Sequence, residues 1–150
     1  MPQIEPIVIT TNAAGYTNVS TNTLTLDPVG SKDGLTSYAG GNVLTDTVTT
    51  IEVGPPTAAV LQSTLTISLS RPSKTSRISK VRIKLVSPVA ALDAVGAPTN
   101  IKSHENSADV TYLFSEKSTQ DERQDLDVMF RALLDDAPSY LVIQQLKSMY

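Results

Sequence analysis

Cysteine and tryptophan are absent from this chain of 150 residues, phenylalanine occurs twice and histidine once. Without cysteine there are no disulfides and no thiolate metal ligands, so a disulfide-stapled fold and a zinc finger are both excluded, while the redox compartment stays open. His104, beside Glu105 in a polar stretch read as loop, has no second histidine or cysteine to complete a metal set. The phosphate-cradling GxxxxGK[ST], the dinucleotide GxGxxG, the zinc-binding HExxH and the nucleophile-bearing GxSxG are all missing. The expectation is therefore a protein that is not an enzyme and uses no cofactor or metal. No segment is long and apolar enough to cross a bilayer, and MPQIEPIVITTN lacks the basic region and apolar run of a signal peptide. A soluble product made in a cytoplasm, with no membrane partner, is expected, and the Asn18-Val19-Ser20 sequon matters only if the protein is secreted.

What is present points to β-structure. Threonine, serine and valine are abundant, and a hydrophobic content of 40% suffices for the core of one domain spanning 1–150. IEPIVIT (4–10) and NTLTLDP (22–28) read as strands of an N-terminal hairpin within 1–30, and Asp27-Pro28-Val29-Gly30 reads as the turn that ends it. In the following region, GLTSYAG (34–40) and TVTTIEV (47–53) are both candidates for the next strand. Residues 65–70, 79–86 and 108–114 then form an antiparallel meander, the last strand reached through a long loop at 87–107, so that 31–114 is the sheet region.

The charge pattern is more specific than the net charge of −3. Six of the twelve Lys and Arg residues (Arg71, Lys74, Arg77, Lys80, Arg82 and Lys84) fall in LTISLSRPSKTSRISKVRIKL (65–85), and no Asp or Glu occurs between Val53 and Ala90. With alternating faces, Leu65, Ile67, Leu69, Val81, Ile83, Leu85, Val110, Tyr112 and Phe114 make an apolar side. Thr66, Ser68, Ser70, Lys80, Arg82, Lys84, Asp109 and Thr111 make the other. Any half-solvated sheet alternates in this way. Simple solvation does not, however, select three cations in register on one strand against their mutual repulsion, and a polyanion-binding surface does.

The period changes after Glu116. Ser118-Thr119-Gln120-Asp121-Glu122 offers two overlapping capping boxes, Ser118 with Asp121 and Thr119 with Glu122. Leu126, Met129, Phe130, Leu133 and Leu134 follow at helical spacing, which predicts a helix of about 16 residues. Pro138 interrupts it, and PSYLVIQQLKSM reads as a second, shorter helix.

The order of these elements, together with TLTLDPVG (23–30), LTISLSRPSKTSRISKVRIKLVSP (65–88), ADVTYLFSEKSTQDER (108–123) and the C-terminal LDDAPSYLVIQQLKSMY, resembles the coat proteins of single-stranded RNA bacteriophages over most of 19–150. The resemblance implies an α+β fold: an N-terminal β-hairpin, an antiparallel sheet, and two C-terminal helices in 118–150 that pack on the partner subunit's sheet. It implies an interface in which Ile67, Val81, Ile83 and Tyr112 meet Leu126, Met129, Phe130 and Leu133 of the other chain. It also implies an icosahedral shell around phage genomic RNA, assembled in the bacterial cytoplasm, with the phage maturation protein as a further partner.

In such proteins the polar sheet face lines the shell and binds RNA, including an operator hairpin whose capture represses translation. By position, Thr66 and Ser68 match adenine-pocket residues, Arg82 occupies the place of a neutral polar residue in that pocket, Lys80 and Lys84 match phosphate-facing lysines, and Asp109 also matches. Three departures stand out. The family's base-stacking tyrosine is Ser107 here, the 87–107 segment has no linking cysteines, and extra residues lie between Gly30 and Gly54. A non-assembling RNA-binding regulator shares the basic face but not the helix stripe. A secreted β-rich adhesion module shares the Thr and Ser content but gives no reason for Lys80, Arg82 and Lys84.

Overall fold

Alternation of period two marks 65–70 and 79–86, and strands follow it there. The computed structural model describes residues 5–10, 23–32, 34–40, 44–45, 59–135 and 143. Among them, strands β1 (Ile7–Thr10), β2 (Thr23–Lys32), β3 (Leu35–Gly40), β4 (Leu44–Thr45), β5 (Ser63–Ser70), β6 (Ile78–Leu92) and β7 (Pro98–Ser115) precede helix α1 (Gln120–Asp135). The chain divides into two compact units: a sheet unit ending at Arg71 and resuming over Lys80–Leu113, and a smaller unit of Pro72–Ser79 and the residues from Phe114 onward. The class is α+β, as the resemblance implies.

In the sheet unit the order is β1-β2-β3-β5-β6, with all of these neighbours antiparallel, and β7 also pairs with β6. β5 pairs with β6 from Thr64↔Val86 to Ser70↔Lys80, and the two-residue β4 runs parallel to β6 at Val89 and Ala90. Leu26, Tyr38 and Leu65 are the buried centre, with Ile7, Ile67, Ile83 and Leu85 packed against them and partly buried. These residues share one side, because Leu65↔Leu85, Ile67↔Ile83 and Tyr38↔Leu65 are cross-strand partners.

Three expectations are corrected. Asp27-Pro28-Val29-Gly30 is not a turn: β2 runs through it, and the register with β3 shifts between Pro28 and Gly30. Proline lacks the N–H a regular ladder needs, and a bulge accommodates it without ending the strand. The change of direction comes later, around Gly34, whose φ of 79° is left-handed and where an added Cβ would stand 2.5 Å from the Leu69 carbonyl oxygen. That close approach goes with the bond from the Leu69 N–H to the Gly34 carbonyl, at 2.8 Å.

The segment 87–107 is likewise not a long loop. β6 continues to Leu92 and β7 starts at Pro98, leaving a tight connection over 93–97. Asp93 organises it: its Oδ1 accepts from the N–H groups of Val95 and Ala97, both at 2.9 Å, and Gly96 supplies a φ of 84°. Pro98 is admissible as the first residue of a strand, and His104 therefore lies in β7 rather than in a loop. Of the two candidates for the strand after the hairpin, 34–40 is realised as β3, while 47–53 falls outside the described residues.

In the smaller unit, α1 begins with the second of the two capping boxes. The Thr119 N–H donates to Glu122 Oε2 at 2.8 Å, and the Glu122 N–H donates to Thr119 Oγ1 at 3.3 Å. Ser118 instead donates its hydroxyl to the Ser115 carbonyl, at 2.9 Å. The helix has 16 residues and none of them is buried. The second helix expected after Pro138 lies outside the described residues, apart from Ile143, which is helical.

Candidate nucleic-acid interface

Cross-strand register assembles the polar face. Thr66 pairs with Lys84, Ser68 with Arg82 and Ser70 with Lys80, so each cation of β6 stands opposite a hydroxyl of β5. On the other flank of β5, Ser37 pairs with Thr66 and Leu35 with Ser68. The rows continue to β2, where the bulge exchanges the two faces of the strand beyond it. Gly30 pairs with Ser37 and Lys32 with Leu35, so the register position of Lys32 joins the row of Ser68 and Arg82. The turn expected at 27–30 leaves Lys32 outside any strand, and simple parity from Leu26 would put position 32 on the opposite side. Pro28 inside the strand was the available signal.

Lys80, Arg82 and Lys84 are all exposed, Thr66 and Ser68 are half-buried, and Asp109 and Thr111 on β7 are exposed. Not all of the cations stand uncompensated, however. Arg82 Nε donates to both carboxylate oxygens of Asp109 at 2.9 Å, and Nη2 donates to Oδ2. The partner acid comes from the next strand rather than from the acid-free stretch itself, so linear distance along the chain concealed it. Arg77 is compensated in the same manner in the smaller unit, by Glu116 at 3.2 Å. Farther along β7, Lys102 Nζ meets Glu105 Oε2 at 2.8 Å. Lys80 and Lys84 have no ion pair among the described residues.

The pairing leaves its mark on protonation. The hydrogen bonds from Arg82, and then its charge with those of Lys84 and Lys80, hold the Asp109 carboxyl below its ordinary range despite some desolvation. Asp109 in turn raises the Arg82 guanidinium above its ordinary value, by hydrogen bonding and then by charge. Glu105 is lowered chiefly by its hydrogen bond from Lys102, then by the charge of Lys102, with Lys84 contributing. Successive even positions of a strand are about 6.6 Å apart, inside the screening length of about 8 Å, whereas Lys80 and Lys84 are separated by about 13 Å. A middle cation held by Asp109 therefore relieves repulsion along the row, and leaves two separated ammonium groups facing solvent.

The apolar positions expected at an interface are only partly covered within one chain. Ile67, Val81, Ile83 and Tyr112 in the sheet are half-buried, as is Phe130 of α1. Leu126, Met129 and Leu133 of α1 are 41%, 61% and 55% exposed. Ser107 is exposed on β7.

A family model described as Levivirus coat protein matches residues 2–150. No curated protein matches the chain. Among solved structures, it is similar to the virus-like particle of Beihai levi-like virus 21, at 22% identity over 99% of both chains with a TM-score of 0.71. It is also similar to the virus-like particle of bacteriophage ESE058, at 18% identity over 99% of this chain and 100% of that one, with a TM-score of 0.72. The capsid protein of bacteriophage GA matches at 14% identity over 95% of this chain and 96% of that one, with a TM-score of 0.62. At these identities the likeness to the solved structures is one of fold.

Proposed function

This chain belongs to the Levivirus coat protein family, whose role is structural, and from that premise we propose that it dimerises and encloses phage RNA in a shell. The observation that carries the dimer is β7. It has 18 residues, and among the described residues it pairs only with β6, which leaves a long edge of backbone donors and acceptors without a strand beside it. A second β7 placed antiparallel satisfies that edge and joins two sheets into one. The apolar stripe of α1 fits the same arrangement, since Leu126, Met129 and Leu133 gain cover from the partner's sheet.

On the polar face, Lys80 and Lys84 take phosphate groups of single-stranded RNA, with the Thr66 and Ser68 hydroxyls beside them. Charge-driven packing is the favoured mode. Recognition of one hairpin has less support on this face, since Ser107 offers no ring on which a base can stack. Assembly takes place in the bacterial cytoplasm, and the virion is the final location.

The test is expression in a bacterium followed by electron microscopy of the soluble fraction and measurement of its nucleic-acid absorbance. Wild-type protein is expected as RNA-containing particles, and the K80Q/K84Q variant as dimers or particles with less RNA. A wild-type protein that stays monomeric at all concentrations overturns the dimer, and equal RNA in wild type and variant overturns the assignment of the lysines.

A further inference from the structure

We infer that Asp109 is a positioning residue that withholds Arg82 from nucleic acid, so that the RNA-facing surface of each chain engages phosphate through Lys80 and Lys84. The inference rests on the RNA-binding reading above and specifies how that surface is regulated.

Three cations in register on β6 suggest three equivalent phosphate contacts, but the geometry separates them. The donors that Arg82 presents to Asp109, Nε to both oxygens at 2.9 Å and Nη2 to Oδ2, form the fork that a phosphate would occupy in a bidentate contact. A phosphate must displace a carboxylate already tethered beside the guanidinium on the neighbouring strand. The hydrogen bonds and then the charge of Arg82, with smaller contributions from Lys84 and Lys80, hold that carboxyl below its ordinary range, so it stays an ionised competitor at neutral pH. Neither lysine is so occupied among the described residues. Lys102 repeats the arrangement with Glu105, at 2.8 Å. Of the four cations Lys80, Arg82, Lys84 and Lys102, the acids of β7 close two and leave two open. A lining graded in this way holds RNA by fewer, more exchangeable contacts than its count of basic residues implies.

Counterion release separates an open cation from a closed one. For single-stranded nucleic acid, each neutralised phosphate adds about 0.7 to the slope of log affinity against log salt. The binding of a single-stranded RNA oligonucleotide to purified, RNA-free protein is measured across a salt series for wild type, K80Q/K84Q, R82Q, D109N and R82Q/D109N. R82Q is expected to keep the wild-type slope. D109N is expected to steepen it by about 0.7 per arginine released, or about 1.4 for a surface built from two chains, which is about sevenfold more affinity lost between about 50 and 200 mM salt. The double variant is expected to return to the wild-type slope.

A D109N slope equal to wild type, or an R82Q slope already shallower by that amount, overturns the inference. If D109N does not fold, the R82Q comparison decides alone: an unchanged slope supports withholding and a shallower one overturns it. A flat wild-type dependence refutes RNA binding by this face and the inference with it. A wild-type slope that K80Q/K84Q reduces, with D109N unchanged, refutes the inference only.

Discussion

Replacing Leu133 by alanine tests the dimer through one side chain. Leu133 is 55% exposed on α1, in a stripe with Leu126 at 41%, Met129 at 61% and Leu134 at 42%. Complete burial of a leucine side chain contributes about 1.5–3 kcal/mol, so the exposed half of Leu133 has about 1 kcal/mol still to gain against a partner. A two-fold interface uses the residue twice, and truncation to alanine should cost the dimer about 2 kcal/mol, or about 30-fold in its dissociation constant. Alanine is a better helix former than leucine, so α1 itself should not weaken.

Sedimentation equilibrium over a dilution series reads the constant directly. The concentration dependence of the melting temperature should shift in parallel, because association and folding are linked. Val128 supplies the control. It is 64% exposed but lies on the opposite side of α1 from the stripe, at 100° per residue, and V128A should leave dimerisation nearly unchanged. Dimerisation of L133A at the wild-type constant, or equal weakening by V128A, would refute the assignment of this face.

Gly34→Ala should destabilise the sheet unit by about 2–3 kcal/mol, since alanine meets both a left-handed backbone and a carbonyl oxygen 2.5 Å from its Cβ. Chemical denaturation of the variant checks this, and a loss below the penalty for left-handed backbone alone would contradict the close approach to Leu69. Acidification should lower thermal stability in a defined window. Asp109 and Glu105 are both held below their ordinary values of 3.8 and 4.5, so their contribution is complete above those values and is lost as pH falls through the lower folded-state values. Melting curves from neutral to acid pH should flatten in an E105Q/D109N variant, and an unchanged acid profile would exclude these pairs as its source.

Period two was legible in β5 and β6 because side chains on both faces report it: every apolar partner pair and every hydroxyl–cation pair falls on the expected side. The capping box and stripe of α1 were legible for the same reason, as local patterns that need no tertiary partner. What escaped the sequence was settled by neighbours in space. Pro28 signals an ending in one dimension, but with β3 alongside it becomes a bulge that realigns Lys32. Residues 87–107 lack alternation, yet pairing between β6 and β7 and the turn around Asp93 order them as a hairpin. The pairing of Arg82 was hidden because its acid lies 27 residues away along the chain but on the adjacent strand.

The edges of the sheet argue for a closed pair rather than an open series of strands. An exposed strand edge invites addition of further chains, and a long one invites it most. Among the described residues the two long-range edges differ sharply: β7 offers 18 residues, whereas β1 at the far end offers four. Pairing of β7 with β7 is isologous, so it would consume both long edges in a single event and leave, among the described residues, the short edges of β1 and the two-residue β4 outside. Pairing of β7 with β1 would instead be heterologous and could propagate, but four residues satisfy little of an 18-residue edge. On the proposed pairing, the inequality of the two edges favours a finite dimer over an open series, and growth of a shell would then use contacts other than strand addition.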